Sequence, residues 1–156
     1  MACPLGSHIR RTNPRDAFVE GRDESIKLTN RHRIVRRGRA YGAPLDDSMD
    51  PQKMLDSKDP GEERGLHFLC FNANIARQFE LLQQTWVNNP KFMGLYDDPD
   101  PIIGDMKAGA SFVVPAEPVR QRVVGIPRFV EVRGGAYFFM PGIRALRYLA
   151  NLTGRS

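Results

Sequence analysis

Arginine is the side chain whose number and spacing most clearly point to chemistry in this sequence. Residues 1–41 carry ten Lys or Arg against four Asp or Glu, and residues 120–156 carry seven Arg against one acidic residue, so each segment has a net charge of +6. Arginine forms a planar fork that matches phosphate and carboxylate groups. With a net charge of +5 and a pI near 9.6, the 156-residue chain suits an anionic partner, which could be a nucleic acid, a membrane surface or a small ligand.

Cysteine and histidine are too few for a structural metal centre. Cys3 and Cys70 lack a CxxC spacing and the chain has three histidines, so neither a disulfide framework nor a tetrahedral zinc site is expected. The apolar runs are far too short to span a bilayer, and no signal-peptide pattern opens the chain. We therefore expect a soluble, cytoplasmic protein that forms one domain over residues 1–156.

The elements that must position these side chains are mixed strands and helices. Residues 43–64 hold three prolines and seven acidic residues, which predicts an exposed acidic loop. The predicted strands are Arg31–Arg37, Gly65–Phe71, Ser111–Val114 and Phe129–Phe139, and the predicted helices run from about Asn72 or Asn74 to Val87 and from Ile143 to Asn151. This order indicates an α+β domain with an antiparallel sheet and helices packed on one face.

The sequence of one predicted strand is compatible with RNA binding. Residues 64–71 resemble the RNP1 strand of RNA-recognition motifs at four positions, Arg64, Gly65, Phe68 and Phe71. Leu66 stands where a base-stacking ring belongs, and His67 where a small residue is usual. A single-stranded RNA-binding domain is therefore the alternative hypothesis.

Several separated motifs resemble another family over essentially the whole chain. Residues 3–15 read CPLGSHIRRTNPR, residues 34–42 read IVRRGRAYG, and residues 83–89 read QQTWVNN after the GLHFLCF strand. In this order they resemble the C-terminal half of dye-decolorizing (DyP-type) haem peroxidases, as do residues 128–139. The resemblance implies haem b as cofactor and the hydrogen-peroxide-dependent one-electron oxidation of dyes and phenolic substrates. It implies no nucleic-acid or membrane partner.

The resemblance also implies roles for individual residues around the haem. His8 would be the axial iron ligand, with Asp100, or Asp98 as the second choice, hydrogen-bonded to its ring. The candidates for contact with the haem propionates are Arg10, Arg11 and Arg15. Trp86 and Tyr137 are oxidisable and could pass electrons, although the helical spacing of Trp86 favours packing in the core.

On the other side of the haem, Arg36 would be the distal arginine that holds the peroxide anion. Alternation along a strand turns Arg36 and Arg37 to opposite sides, and the resemblance selects Arg36. Leu66 and Phe68 would line the distal pocket with apolar side chains.

One family motif is absent. No GxxDG segment, which carries the family's distal aspartate, occurs in the sequence. The family fold packs two ferredoxin-like halves around the haem, and this chain matches only the second. The resemblance therefore implies that the chain forms one ferredoxin-like half of this fold, in a truncated or split form. Its peroxidase activity alone would be impaired, and an N-terminal half or a homo-oligomer would complete the site.

Overall fold

The computed structural model describes residues 3–106 and 110–152. The helices are α1 (His8–Thr12), α2 (Arg22–Asn30), α3 (Pro51–Asp56) and α4 (Ile143–Leu152), and the strands are β1 (Val35–Tyr41), β2 (Gly65–Phe71), β3 (Ala110–Val114) and β4 (Gln121–Ile126). Two π-helical stretches, Ala76–Glu80 and Leu82–Val87, form one further helical segment. Strands β1 and β2 pair antiparallel, as do β3 and β4. The predicted α+β class is thus confirmed.

Strands β1 and β2 form a ribbon that is longer than the sequence predicted. The expected first strand ended before Gly38, but β1 begins at Val35 and continues to Tyr41. Gly38 lies within the strand and pairs with Phe68. An added Cβ at this position would lie 3.0 Å from the side chain of Leu66, so the close packing there favours glycine. The strand ends before Gly42, whose φ of +82° suits glycine and where a Cβ would collide with the backbone of Glu63.

The predicted helix after β2 is present, but it is wound more widely than an α-helix. The amide of Glu80 donates to the carbonyl of Ile75 at 3.0 Å, and the amide of Asn88 donates to the carbonyl of Gln83 at 3.0 Å. Both bonds span five residues, the π-helical pattern, which is often associated with functional sites. We call residues 76–87 the π-helical segment.

The core of the protein lies against the end of the π-helical segment. Trp86 is 2% exposed and packs with Leu82 and Phe92. The ring of Phe18 lies 5.3 Å from that of Trp86, which joins the segment before α2 to this core. Aromatic side chains bury large apolar areas, so this cluster stabilises the fold around the end of the π-helical segment.

The acidic segment 43–64 is mostly exposed and contains α3, which was not predicted. Asp50 precedes this helix, and its Oδ1 accepts a hydrogen bond from the amide of Gln52 at 2.9 Å. Such a side-chain cap satisfies an amide that the helix itself leaves free.

The last third of the chain departs furthest from the prediction. Strand β3 and helix α4 are found where they were expected, whereas β4 was missed. The predicted strand Phe129–Phe139 is wrong, because residues 127–142 form no regular structure. Its aromatic residues have high strand propensity but no partner strand within the described residues, and Phe138 and Phe139 are 85% and 88% exposed.

None of the helices in residues 3–106 and 110–152 is long and apolar enough to cross a bilayer.

Candidate functional site

A histidine and a carboxylate that are far apart in sequence meet at the start of α1. The Nδ1 atom of His8 lies 2.9 Å from Oδ2 of Asp100, which is fully buried, while the His8 side chain is 32% exposed. A carboxylate oxygen accepts, so Nδ1 carries the proton and Nε2 carries the lone pair. Within the described residues Nε2 has no hydrogen-bond partner, and this nitrogen is the one available to a metal.

The second oxygen of Asp100 is held by its own loop. Oδ1 accepts hydrogen bonds from the amides of Ile102 at 2.9 Å and Ile103 at 3.0 Å. Burial alone would raise the pKa of Asp100, but the hydrogen bonds from His8, Ile103 and Ile102 outweigh it and leave the pKa below its ordinary value. Asp100 is therefore a carboxylate that is fixed at both oxygens.

Asp98, the second choice for the partner of His8, faces elsewhere. Its Oδ1 accepts a hydrogen bond from the hydroxyl of Ser111 at 3.2 Å. The same hydroxyl oxygen accepts from the guanidinium of Arg122 at 2.8 and 3.0 Å. The structure thus brings Asp100 to His8 and joins Asp98 to strand β3.

The predicted contact of Arg11 with a cofactor anion is corrected by the structure. The Arg11 side chain is fully buried, and its guanidinium donates to backbone carbonyl oxygens of Gly6, Trp86, Val87, Asn89 and Asp98. The guanidinium also lies 5.1 Å from the centroid of the Phe92 ring. It is turned into the protein interior, where backbone carbonyls accept hydrogen bonds from all three of its nitrogens.

Arg10 and Arg15 remain candidates for such an anion. The guanidinium of Arg10 lies 3.3 Å from Oδ1 of Asp16, and its buried Nε has no hydrogen-bond partner among the residues that the structure describes. Arg15 is exposed, and its guanidinium makes no hydrogen bond or ion pair with the described residues. The Arg15 backbone is fixed instead, since its carbonyl oxygen accepts from the hydroxyl of Ser25 at 2.6 Å.

A second group of predicted residues shares one face of the β1–β2 ribbon. Arg36 pairs with Cys70, and Leu66 and Phe68 follow at alternate positions along β2, so all of them project to the same side. Arg37 projects to the other side. Leu66 is 60% exposed and Phe68 is 47% exposed, and the Phe68 ring lies 6.2 Å from that of Phe79 in the π-helical segment.

The two groups are separate in the structure. No hydrogen bond, ion pair or ring contact within the described residues joins the His8–Asp100 pair to Arg36, Leu66 or Phe68. Their assembly around one cofactor stays a prediction.

The remaining candidates divide between core and surface. Trp86 is a core residue, while Tyr137 is 60% exposed and its ring lies 6.3 Å from that of Phe79. Local desolvation and the carboxylate of Glu80 raise the pKa of Tyr137. In the RNP1-like strand, Phe68 and Phe71 project from opposite faces, so they cannot stack bases on one surface.

Sequence reasoning missed the part that Arg11 plays in the site. Its five carbonyl partners come from three stretches of backbone, and every residue type carries a carbonyl, so the sequence does not mark them. The position of Arg11 three residues after His8 on a short helix was the one available signal.

A buried carboxylate thus fixes the ring of a histidine on an α+β scaffold and leaves its second nitrogen open. Comparisons with known proteins show what the chain is similar to.

The chain is 37% identical over 155 residues to the multifunctional dye peroxidase DyP2 of Amycolatopsis. This alignment covers 94% of the chain and 32% of that protein. It is 36% identical over 159 residues to the dye-decolorizing peroxidase msp1 of Mycetinis scorodonius, which covers 93% of this chain and 29% of that protein. The crystal structure of an Anabaena DyP-type peroxidase matches with a TM-score of 0.60 at 33% identity, over 79% of this chain and 26% of the other. No family model matches the chain.

The chain is therefore a relative of the DyP-type peroxidases in both sequence and fold, as its motifs predicted. It spans about a third of the length of the curated relatives that it matches.

Proposed function

We propose that this chain forms the axial-ligand side of the haem site of a DyP-type peroxidase, which oxidises dyes and phenolic compounds in one-electron steps with hydrogen peroxide. The observation that carries the proposal is the hydrogen bond of 2.9 Å between His8 Nδ1 and the buried Asp100 carboxylate. It fixes the tautomer and makes Nε2 a stronger ligand.

The residues of the site fit haem better than a protein-ligated metal ion. Within the described residues there is no group of three or more His, Cys, Asp or Glu that could hold a metal. Haem needs one protein nitrogen on its axial side, because the porphyrin supplies the other ligands. His8 offers that nitrogen, and the buried Nε of Arg10, which has no partner in residues 3–106 and 110–152, is a donor suited to a propionate.

In this proposal each candidate site residue has a defined role. Haem, when bound, supplies the iron at which peroxide is reduced. His8 Nε2 holds the iron, and Asp100 orients the ring. Arg36 holds the peroxide anion, while Leu66 and Phe68, on the same ribbon face, exclude bulk water.

The exposed surface supports a requirement for additional polypeptide. The chain exposes 12690 Å². A compact monomer of 17.6 kDa is expected to expose about 7,900 Å². The difference of about 4,800 Å² is several times the area of about 800 Å² that each partner buries in a standard interface. We propose that a further part of the peroxidase fold, on the same polypeptide or on another, covers this surface and completes the site.

The first experiment titrates the purified chain with haemin. We expect a Soret band shifted by histidine ligation, and we expect His8→Ala to abolish the shift. His32→Ala is the matched control, because His32 Nδ1 lies 2.6 Å from the carbonyl oxygen of Arg77, outside the site. An unchanged spectrum in His8→Ala would refute the axial assignment.

The second experiment measures peroxidase activity with an anthraquinone dye. We expect weak activity from the haemin-loaded chain and a large gain when the remaining portion of a relative is supplied. Arg36→Ala should remove the gain, whereas Arg37→Ala, on the opposite ribbon face, should keep it. Equal activity in both variants would refute the role of Arg36.

The same samples test the RNA hypothesis. Binding of single-stranded RNA that weakens steeply with salt and is lost in Phe68→Ala would support it. Haemin binding without RNA binding would exclude it.

A further inference from the structure

We infer that Arg11 is a positioning residue: its buried guanidinium fixes α1 and the Asp98–Asp100 loop in the arrangement that brings His8 to Asp100. The importance of this positioning for catalysis rests on the proposed function, whereas the contacts of Arg11 do not depend on that function.

The guanidinium of Arg11 uses all of its nitrogens on backbone carbonyls. Nε donates to Gly6 at 3.1 Å, and Nη1 donates to Trp86 at 2.6 Å and to Asn89 at 2.9 Å. Nη2 donates to Asp98. A buried charge is tolerated where hydrogen bonds replace its hydration, and here carbonyl oxygens supply them.

The site of these contacts is the end of the π-helical segment. The last carbonyls of a helix have no partner within it, and a cation at this end also opposes the helix dipole. The carbonyl of Val87 accepts from the amide of Asp100 at 2.9 Å. Arg11 and the Asp100 backbone therefore bind the same helix end side by side.

Arg11 is connected to both members of the histidine–carboxylate pair. It lies three residues after His8 on α1, which is about one helical turn. Through Asp98 it holds the loop two residues before Asp100. A shift of the guanidinium would therefore move the imidazole of His8 relative to the carboxylate of Asp100 and lengthen the hydrogen bond between them.

Lysine cannot replace this arrangement. Its ammonium group has three donors at one point, whereas the five donors of the guanidinium are spread across a plane that reaches several carbonyls at once. We therefore expect Arg11→Lys to keep the charge and to lose the positioning.

The decisive measurement is the ring tautomer of His8, read from its side-chain 15N resonances at about pH 8, where an ordinary histidine is neutral. In the chain without haemin we expect the Nδ1–H tautomer to predominate. In Arg11→Lys we expect the Nε2–H tautomer to gain most of the population. Arg77→Lys, an exposed arginine on the π-helical segment, is the matched control and should resemble the parent chain.

A second control separates positioning from simple destabilisation. Leu82→Ala weakens the core but removes none of the carbonyl oxygens that accept from Arg11, so it should keep the Nδ1–H tautomer. A folded Arg11→Lys chain that also keeps this tautomer would overturn the inference.

If Arg11→Lys does not fold, the parent chain still answers the question. We expect Arg11 to show separate, slowly rotating Nη1 and Nη2 resonances, with couplings across the hydrogen bonds to the carbonyl carbons of Trp86, Asn89 and Asp98. A single averaged resonance would show that the guanidinium holds nothing, and the inference would fail.

Haemin affinity distinguishes this inference from the proposed function. Loss of an outer partner of a metal ligand typically costs 10–100-fold in affinity, and we expect about that loss in Arg11→Lys. In a His8→Ala background the loss should vanish. A parent chain that binds no haemin would overturn the proposed function, and the tautomer measurement would then decide the role of Arg11.

Discussion

The neighbourhood of His8 and the segment of residues 127–152 differ in burial. The first region buries hydrogen-bonded polar side chains, and the second exposes apolar ones. Around His8, buried polar side chains such as Arg11 and Asp100 have hydrogen-bond partners within the chain. In residues 127–152, large apolar side chains are exposed, and α4 carries Ile143, Leu146 and Leu149 on its surface. The buried polar groups of the first region find partners within this chain, whereas the second region leaves apolar surface exposed.

The largest expected effect is on the core that supports the first region. Trp86→Ala should lower the free energy of unfolding by about 3–5 kcal/mol, because it leaves a cavity among Leu82, Phe18 and Phe92. Phe139→Ala, in the exposed segment, should change it by less than about 0.5 kcal/mol. Urea denaturation of both variants measures the contrast, and equal losses would show that residues 127–152 pack as a core of their own.

A smaller effect is expected from the carboxylate. Asp100→Asn leaves the amides of Ile102 and Ile103 with an acceptor, but it weakens the bond from His8 and should cost about 1–3 kcal/mol. Asp16→Asn is the control, since Asp16 is exposed. Denaturation at neutral pH measures both variants. A cost in Asp16→Asn that matches the cost in Asp100→Asn would contradict the distinction between the two regions.

The pH dependence follows from the lowered pKa of Asp100. A carboxyl whose pKa is lower in the folded than in the unfolded state stabilises fully above its unfolded value of about 3.9. That stabilisation is lost as the pH falls below this value and through the folded pKa. Denaturation between about pH 6 and 3 should therefore show a steeper loss in the parent chain than in Asp100→Asn. Parallel curves would mean that Asp100 titrates normally.

The smallest effect on stability is expected in residues 127–152, where solubility should respond instead. Replacing Phe138 and Phe139 by Ser should leave the unfolding free energy within about 0.5 kcal/mol of the parent. It should reduce self-association, because exposed aromatic side chains drive non-specific contact. Analytical ultracentrifugation provides the measurement, and unchanged association would locate the contact surface elsewhere.

The sequence was most informative where a residue's own type determines its structure. The alternation in residues 65–71 predicted β2, and the face shared by Leu66 and Phe68 follows from it. The preference for Asp100 over Asp98 came from the family resemblance, and the contact with His8 agrees with it. These predictions depended on local patterns and recognisable motifs.

The failures share a different cause. Residues 129–139 have the composition of a strand, but a strand requires a partner, and the described residues provide none. Arg11 appeared to be one of three similar arginines, and only the folded arrangement of carbonyls draws it inside. Both errors concern contacts that are remote in sequence.

The hydrogen bond between His8 and Asp100 joins residues that are 92 positions apart. A ribosome that adds 5–20 residues per second needs about 5–18 s to extend the chain from one to the other. During that time the histidine has no carboxylate partner, so its ring is not yet oriented. The His8–Asp100 hydrogen bond can therefore form only after residue 100 has been synthesised.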